Sequence, residues 1–186
     1  MPENKKEIVL GVTASIAIYK ACDITRRLGE NGFAVTAVLT EEARKLMNPL
    51  IFESLSGNRA YYGMFERPGP WQVEHVALAE KAAMVLVAPA TANIIAKIAC
   101  GIADDLLTCI ILATRAPVLI CPAMNEDMYA NKITQANIAK LKSLGFKVVG
   151  PRRGRLACGR EGNGCLAEVE KIASEVNKVL SKSAAT

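Results

Sequence analysis

Ile8-Val9-Leu10-Gly11-Val12-Thr13-Ala14-Ser15 is the stretch that decides the fold. Its first five residues are an unbroken apolar run, as expected of a strand buried on both faces of a parallel sheet. Thr13, Ala14 and Ser15 make a small polar turn. Ala17, Ala21, Ile24 and Leu28 then recur at helical spacing until Asn31-Gly32 ends the helix. Strand, short turn and amphipathic helix together form the first half of a βαβ unit.

The same alternation continues along the chain. A strand is predicted over 33–39, then helical material over 41–55 interrupted near Asn48-Pro49. A buried strand over 84–88 is stopped by Pro89, and helices over 92–99 and 104–113 are separated by Gly101. Strands over 117–121 and 146–149 flank a helix over 132–144, and Val169, Ile172, Ala173, Val176, Val179 and Leu180 form the stripe of a terminal helix. Such alternation calls for right-handed crossovers, so the expected fold class is α/β, a doubly wound parallel sheet in a single domain over 1–180. Residues 181–186 read as a frayed tail.

Two stretches break the order. Residues 57–72 hold Tyr61, Tyr62, Phe65 and Trp71 among Gly63, Pro68, Gly69 and Pro70. Residues 150–165 hold five glycines, four arginines and two cysteines. Irregular segments of this length in a compact domain are usually functional, and the second is expected to be a flap over a site.

Composition narrows the function classes. With 51% hydrophobic and 22% charged residues, the 186-residue chain can build a sizeable core. The net charge of +5 is spread over pairs such as Lys5-Lys6 and Arg26-Arg27, and the aromatics are scattered, so no nucleic-acid surface is expected. The basic-then-apolar profile around Lys5 to Tyr19 is broken by Glu7, Gly11, Thr13 and Ser15, and 82–100 is broken by Pro89, Asn93 and Lys97. Neither an export signal nor a membrane span is therefore expected. Six cysteines without C-x-x-C spacing, four of them in apolar segments, indicate reduced thiols in a cytoplasmic protein, and a single histidine leaves no metal site.

In an open α/β sheet, ligands sit outside the carboxyl ends of the strands. Three polar turns fall there: Gly11 to Ile16 with Thr13 and Ser15, then Thr40, then Thr91-Ala92-Asn93. Together they favour an extended phosphorylated cofactor. A nicotinamide dinucleotide is disfavoured, because no acidic residue ends the second strand. Asn125, in Pro122-Ala123-Met124-Asn125, admits two readings: a helix N-cap, or an amide that reads a ligand carboxylate. His75, near a strand edge beside Glu74, is a candidate proton carrier. Cys158, between Arg155 and Arg160 in the Gly-rich segment, is the best placed of the thiols to react.

His75 with the helix after it, Ala88-Pro89-Ala90-Thr91-Ala92-Asn93, Gly101-Ile102-Ala103-Asp104-Asp105-Leu106-Leu107-Thr108, Pro122-Ala123-Met124-Asn125 with Met128, and Leu156-Ala157-Cys158-Gly159 form an ordered set. That set resembles the homo-oligomeric flavin-containing cysteine decarboxylases, in particular the phosphopantothenoylcysteine decarboxylases, from about Ile8 to Ile172. The resemblance implies a Rossmann-like, flavodoxin-type sheet, FMN as cofactor, and a trimer or trimer-based dodecamer with flavin sites between subunits. It also implies that Gly11, Thr13, Ser15, Ile16, Thr40, Thr91, Ala92 and Asn93 hold FMN. His75 would be the acid/base, Asn125 would hold the substrate carboxylate beside Met128, and Ala157 and Cys158 would sit on the substrate flap with Cys158 as proton donor.

The implied substrate is 4'-phosphopantothenoylcysteine and the product 4'-phosphopantetheine, a step of coenzyme A biosynthesis. A cysteine derivative loses CO2 reluctantly because the carbanion has no electron sink. Oxidation at the sulfur-bearing carbon gives a thioaldehyde that accepts those electrons, and the enethiolate left after CO2 loss must then be reduced and protonated.

Departures from the family pattern are Tyr129, where relatives often have Trp, and Cys165, where they commonly have a basic residue. The substrate phosphate is then expected to fall to Arg155 or Arg160, or the flap to grip it differently. Many bacterial relatives continue into a synthetase, so this chain is expected to be either a stand-alone enzyme with a separate phosphopantothenate–cysteine ligase or a fragment. Alternatives are an oxidative decarboxylase of peptide C-terminal cysteine, a non-catalytic flavoprotein regulatory subunit, and a flavin prenyltransferase. Cys158 argues against the peptide decarboxylase and the prenyltransferase, and His75 together with Cys158 argues against the regulatory subunit.

Overall fold

Strand β1 (Glu7–Val12) pairs in parallel with β2 (Ala34–Leu39) on one side and β3 (Ala82–Ala90) on the other. β4 (Val118–Pro122) joins β3 and the short β5 (Lys147–Val148) joins β4, giving the all-parallel order 2-1-3-4-5. This computed structural model describes residues 5–64 and 74–182. A short 3-10 helix (Ile16–Tyr19) and α1 (Lys20–Glu30) follow β1. α2 (Glu41–Leu46) and α3 (Pro49–Ser56) follow β2, and α4 (Glu74–Lys81) leads straight into β3. α5 (Ala92–Cys100) and α6 (Leu106–Ala113) join β3 to β4. α7 (Glu126–Ala130) and α8 (Lys132–Ser143) join β4 to β5, and α9 (Val169–Lys182) closes the described chain.

The apolar runs are continuous because each strand feeds two cores. Ile8, Leu10 and Val12 of β1 pack with Ile24, Leu28, Phe52 and Val176 from α1, α3 and α9. Val9, one residue out of phase, joins Val85, Ile94, Leu107 and Ile138 on the opposite face. Each such side chain contributes about 1.5–3 kcal/mol through burial. Gly11 is the exception in β1 because a Cβ there would lie 2.5 Å from Leu107 Cδ1. α6 thus approaches β1 as closely as a missing side chain allows.

Some expectations need correction. Pro89 does not stop the third strand: its missing N–H leaves a gap in the ladder, the register shifts between Val87 and Ala90, and pairing resumes at Ala90 with Pro122. Ser181 and Lys182 belong to α9 rather than to a frayed tail; 183–186 lie outside the described residues. Of 57–72, the first part is ordered beside the sheet. Tyr61 bridges Val38, its N–H donates to Ala37 O at 2.9 Å, and Leu39 N–H donates back to Tyr61 O at 2.8 Å. Phe65, Pro68, Gly69, Pro70, Trp71 and Gln72 lie outside the described residues.

The predicted irregular flap is a β-hairpin. β6 (Arg152–Arg155) and β7 (Glu161–Cys165) pair antiparallel, with 156–160 as the tip. All six cysteines are free thiols, but only Cys121 is buried; half-buried Cys22 packs against the core, whereas Cys100 is exposed and Cys109 half-buried, so these two are not core residues. No described helix is long and apolar enough to cross a membrane.

Candidate functional site

The crossover from β1 runs to β2 on one side and that from β3 runs to β4 on the other, so the sheet has its switch point between β1 and β3, where an open α/β sheet leaves a crevice. A cavity of about 1050 Å³ occupies this carboxyl edge and is walled on its far side by the β6–β7 hairpin.

Three strand ends reach it through hydroxyl-bearing turns. Ser15 Oγ accepts the N–H of Ala17 at 3.3 Å, Thr40 Oγ1 that of Ala43 at 3.3 Å, and Thr91 Oγ1 that of Ile94 at 3.3 Å. Each side chain spends its acceptor on a helix cap, and its O–H proton has no described acceptor. Three hydroxyl donors thus border the cavity with Ala92 and Asn93. Thr13 also borders it, but its hydroxyl is consumed within the protein: it donates to Pro89 O at 2.7 Å and accepts from Thr91 N–H at 3.1 Å. Its side chain is a tie between two strand ends. Ile16, 68% exposed, and Met128, 50% exposed, add apolar surface. Hydroxyl donors beside apolar side chains suit a phosphorylated ligand with a flat apolar part.

At the end of β4, Asn125 meets the cap reading of its amide and stands at the cavity where the carboxylate reading would need it. Its Oδ1 caps α7, accepting from Asp127 N–H at 2.8 Å and Met128 N–H at 3.4 Å, and it borders the cavity. Capping uses the acceptor and fixes the amide plane, which leaves the Nδ2 donors for a carboxylate.

The hairpin supplies Arg152, Arg155, Leu156, Ala157, Cys158, Gly164 and Cys165 to the same cavity. Cys158 is at the exposed tip. Met124 N–H donates to Gly164 O at 3.0 Å, pinning β7 against the turn that carries Asn125. A side chain at Gly164 would overlap the Met124 carbonyl, so the approach requires glycine. Arg160 does not border the cavity, whereas Arg155 does and has no carboxylate partner among the described residues.

Two more predicted residues lie elsewhere. Gly11 sits inside β1 against Leu107 and away from the cavity, because its place is set by helix packing. His75 is in the first turn of α4, half-buried, not at a strand edge and not among the residues around the cavity; the adjacent Glu74 pairs with Arg59 at 3.7 Å. The chain's one histidine is therefore absent from its own cavity.

Sequence reasoning missed Arg152 and the group Lys97, Asp104 and Asp105, all at the cavity. Lys97 Nζ lies 2.7 Å from Asp104 Oδ1 and 3.3 Å from Asp105 Oδ2. The hydrogen bond to Asp104 raises the Lys97 ammonium above its usual range, and the same bond lowers the Asp104 carboxyl. Asp105 with Thr108 forms a capping box for α6, the one signal in Asp104-Asp105-Leu106-Leu107-Thr108 that could have placed it. Arg152 Nε lies 2.7 Å from Glu168 Oε1, a long-range pairing without a sequence signal.

A second hollow, of about 710 Å³ between α1 and α9, holds Lys6, Arg27 and Lys178. Lys6 donates to Leu180 O at 3.3 Å, Arg27 pairs with Glu30 at 3.4 Å and Lys178 with Glu175 at 2.6 Å, so its cations are already partnered.

Strand order 2-1-3-4-5 with one large cleft at the β1/β3 switch point defines a flavodoxin-like α/β protein with a ligand site at its strand ends. The sequence profile described as Flavoprotein matches residues 1–181, and the chain belongs to this flavoprotein family. It is 40% identical over 177 residues to the probable phosphopantothenoylcysteine decarboxylase of Streptococcus mutans, covering 94% of this chain and 99% of that protein. It is 42% identical over 175 residues to the coenzyme A biosynthesis bifunctional protein CoaBC of Bacillus subtilis, covering 94% of this chain and 43% of that one. The chain thus spans less than half of such bifunctional relatives. Among solved structures, a PPC decarboxylase mutant complexed with pantothenoylaminoethenethiol superposes with a TM-score of 0.84 at 32% identity, covering 93% of this chain and 97% of that one. The FMN-dependent cysteine decarboxylase SpaF superposes with a TM-score of 0.84 at 30% identity, covering 96% and 97%.

Proposed function

We propose that this protein decarboxylates 4'-phosphopantothenoylcysteine to 4'-phosphopantetheine in coenzyme A biosynthesis, with FMN as cofactor. Similarity to the Streptococcus mutans protein over almost the whole of both chains supports the substrate. The hydroxyl donors of Ser15, Thr40 and Thr91 would hold the cofactor phosphate, while Ile16, Ala92 and Asn93 border its remainder. When bound, FMN supplies a reversible two-electron sink for the carbon that bears sulfur.

The chain's own groups do the rest. Asn125 donates through Nδ2 to the substrate carboxylate, and Met128 covers it. Arg155, without a carboxylate partner among the described residues, holds the substrate phosphate. The hairpin excludes water, and Ala157 places Cys158 over the reacting carbon, which receives a proton from the Cys158 thiol. His75 takes the proton of the substrate thiol. Since His75 is missing from the cavity of its own chain, a second copy must deliver it. This reading favours a homo-oligomer, a trimer or a trimer-based dodecamer, with sites between subunits. We assign the ligation of cysteine that makes the substrate to a separate phosphopantothenate–cysteine ligase, and both to the cytoplasm.

The observation that carries this reading is that the Cys158 hairpin and the Asn125 turn border one cavity and are hydrogen-bonded to each other. A peptide-modifying enzyme would release the enethiol and have no use for that thiol. Cys158→Ser should therefore still release CO2 but accumulate the enethiol, about 46 Da lighter than substrate instead of about 44 Da. Completion of the reduction by Cys158→Ser at the parental rate would remove Cys158 from the mechanism.

A further inference from the structure

Glu126 follows Asn125 directly and opens α7, yet its carboxylate turns away from the helix to the hairpin. Its Oε1 accepts the backbone N–H of Asn163 in β7 at 2.9 Å, a contact 37 residues apart in sequence. Gly162 faces the same carboxylate: a Cβ there would stand 2.5 Å from Glu126 Cδ. β7 is therefore held to the Asn125 turn at two successive places. Met124 N–H with Gly164 O is a backbone bond that depends on glycine at 164, and Glu126 with Asn163 is a side-chain bond that only an acceptor of this length can make.

We infer that Glu126 is the latch that fixes the Cys158 hairpin over the cavity, a positioning residue that ties the proton-delivering arm to the amide that reads the substrate. The inference deepens the proposed function and rests on it for its catalytic consequence only. Two features of the geometry make it specific. The bond needs an acceptor and no charge, so glutamine can replace glutamate. Gly162 must lack a Cβ because Glu126 fills that space, so a methyl at 162 is disruptive only while the long side chain is present.

The test is hydrogen–deuterium exchange at the Asn163 amide in the purified, flavin-loaded protein. Glu126→Ala should speed exchange there about tenfold, as expected for loss of one hydrogen bond. Glu126→Gln should stay within about twofold of the parent. Gly162→Ala should speed exchange as Glu126→Ala does, but adding Gly162→Ala to Glu126→Ala should change nothing further. With substrate, Glu126→Ala should release a larger fraction of the product that is about 46 Da lighter, and Glu126→Gln should not. Equal exchange in parent and Glu126→Ala, or equal acceleration in the alanine and glutamine variants, would overturn the latch. Failure of the parent protein to form either product would sink the decarboxylase reading instead, while the exchange comparison would still decide the latch.

Discussion

Thr91 donates its backbone N–H to Thr13 Oγ1 at 3.1 Å, and the same hydroxyl donates to the Pro89 carbonyl at 2.7 Å. One buried side chain thus closes the gap between the ends of β1 and β3, at the switch point where the cavity begins. Both backbone groups would be unsatisfied without it. Thr13→Val, equal in shape, should cost about 2 kcal/mol in urea unfolding and weaken flavin retention, while Thr13→Ser should recover most of both. An unchanged midpoint for Thr13→Val would show that water replaces the hydroxyl.

Gly11 and Leu107 are similarly interdependent. Gly11→Ala places a methyl against Leu107 Cδ1 and should destabilise by about 1–3 kcal/mol through overpacking. In a Leu107→Ala background the same substitution should be nearly neutral, and a double-mutant cycle in urea measures the coupling. Simple additivity would contradict the proposed contact.

Lys97 and Asp104 give a pH signature. The bond to Lys97 holds the Asp104 carboxyl below its ordinary 3.8, so its stabilisation is present above that value and lost as pH falls. The bond to Asp104 holds the Lys97 ammonium above its ordinary 10.5, so its share is present below that value and lost as pH rises. The penalty for Lys97→Met should be level between these limits, shrink at both ends, and weaken with salt because Asp104 is exposed. Urea titrations across the range test this, and a penalty undiminished in acid would contradict the pairing.

Thiol chemistry should separate two cysteines. Cys121 is fully buried and desolvation pushes its thiol far up, whereas Cys158 stands exposed at the hairpin tip. Iodoacetamide followed by peptide mass mapping should modify Cys158 in the folded protein and reach Cys121 only after unfolding. Comparable labelling of both in the native state would count against this hairpin placement.

How much was legible varied with the kind of interaction. β1, β2 and β4 announced themselves because burial on both faces demands continuous apolar runs, and the breaks read at Asn48-Pro49 and Gly101 fall where α3 starts and α5 ends. Pro89 misled because a missing N–H ends most ladders, yet here the partner register simply skips it. The hairpin was hidden because its strands, Arg152–Arg155 and Glu161–Cys165, lack apolar alternation and are held by backbone bonds and by Glu126.

At the site, the strand-end hydroxyls and Asn125 were readable from position alone. Gly11 was assigned to a ligand as part of the polar turn that the family resemblance gives to FMN, whereas its close neighbour is Leu107. Arg152 was invisible because its partner Glu168 lies across the hairpin base. His75 was readable as a proton carrier, but its distance from its own cavity belongs to how α4 packs against α6, which local pattern does not encode.

The most direct test of the central claim is the purified protein itself. Loaded with FMN, it should absorb near 450 nm and, given 4'-phosphopantothenoylcysteine, yield a product about 44 Da lighter that still carries its two-electron reduced thiol. Protein that binds no flavin, or that stops at the product about 46 Da lighter, would contradict the account.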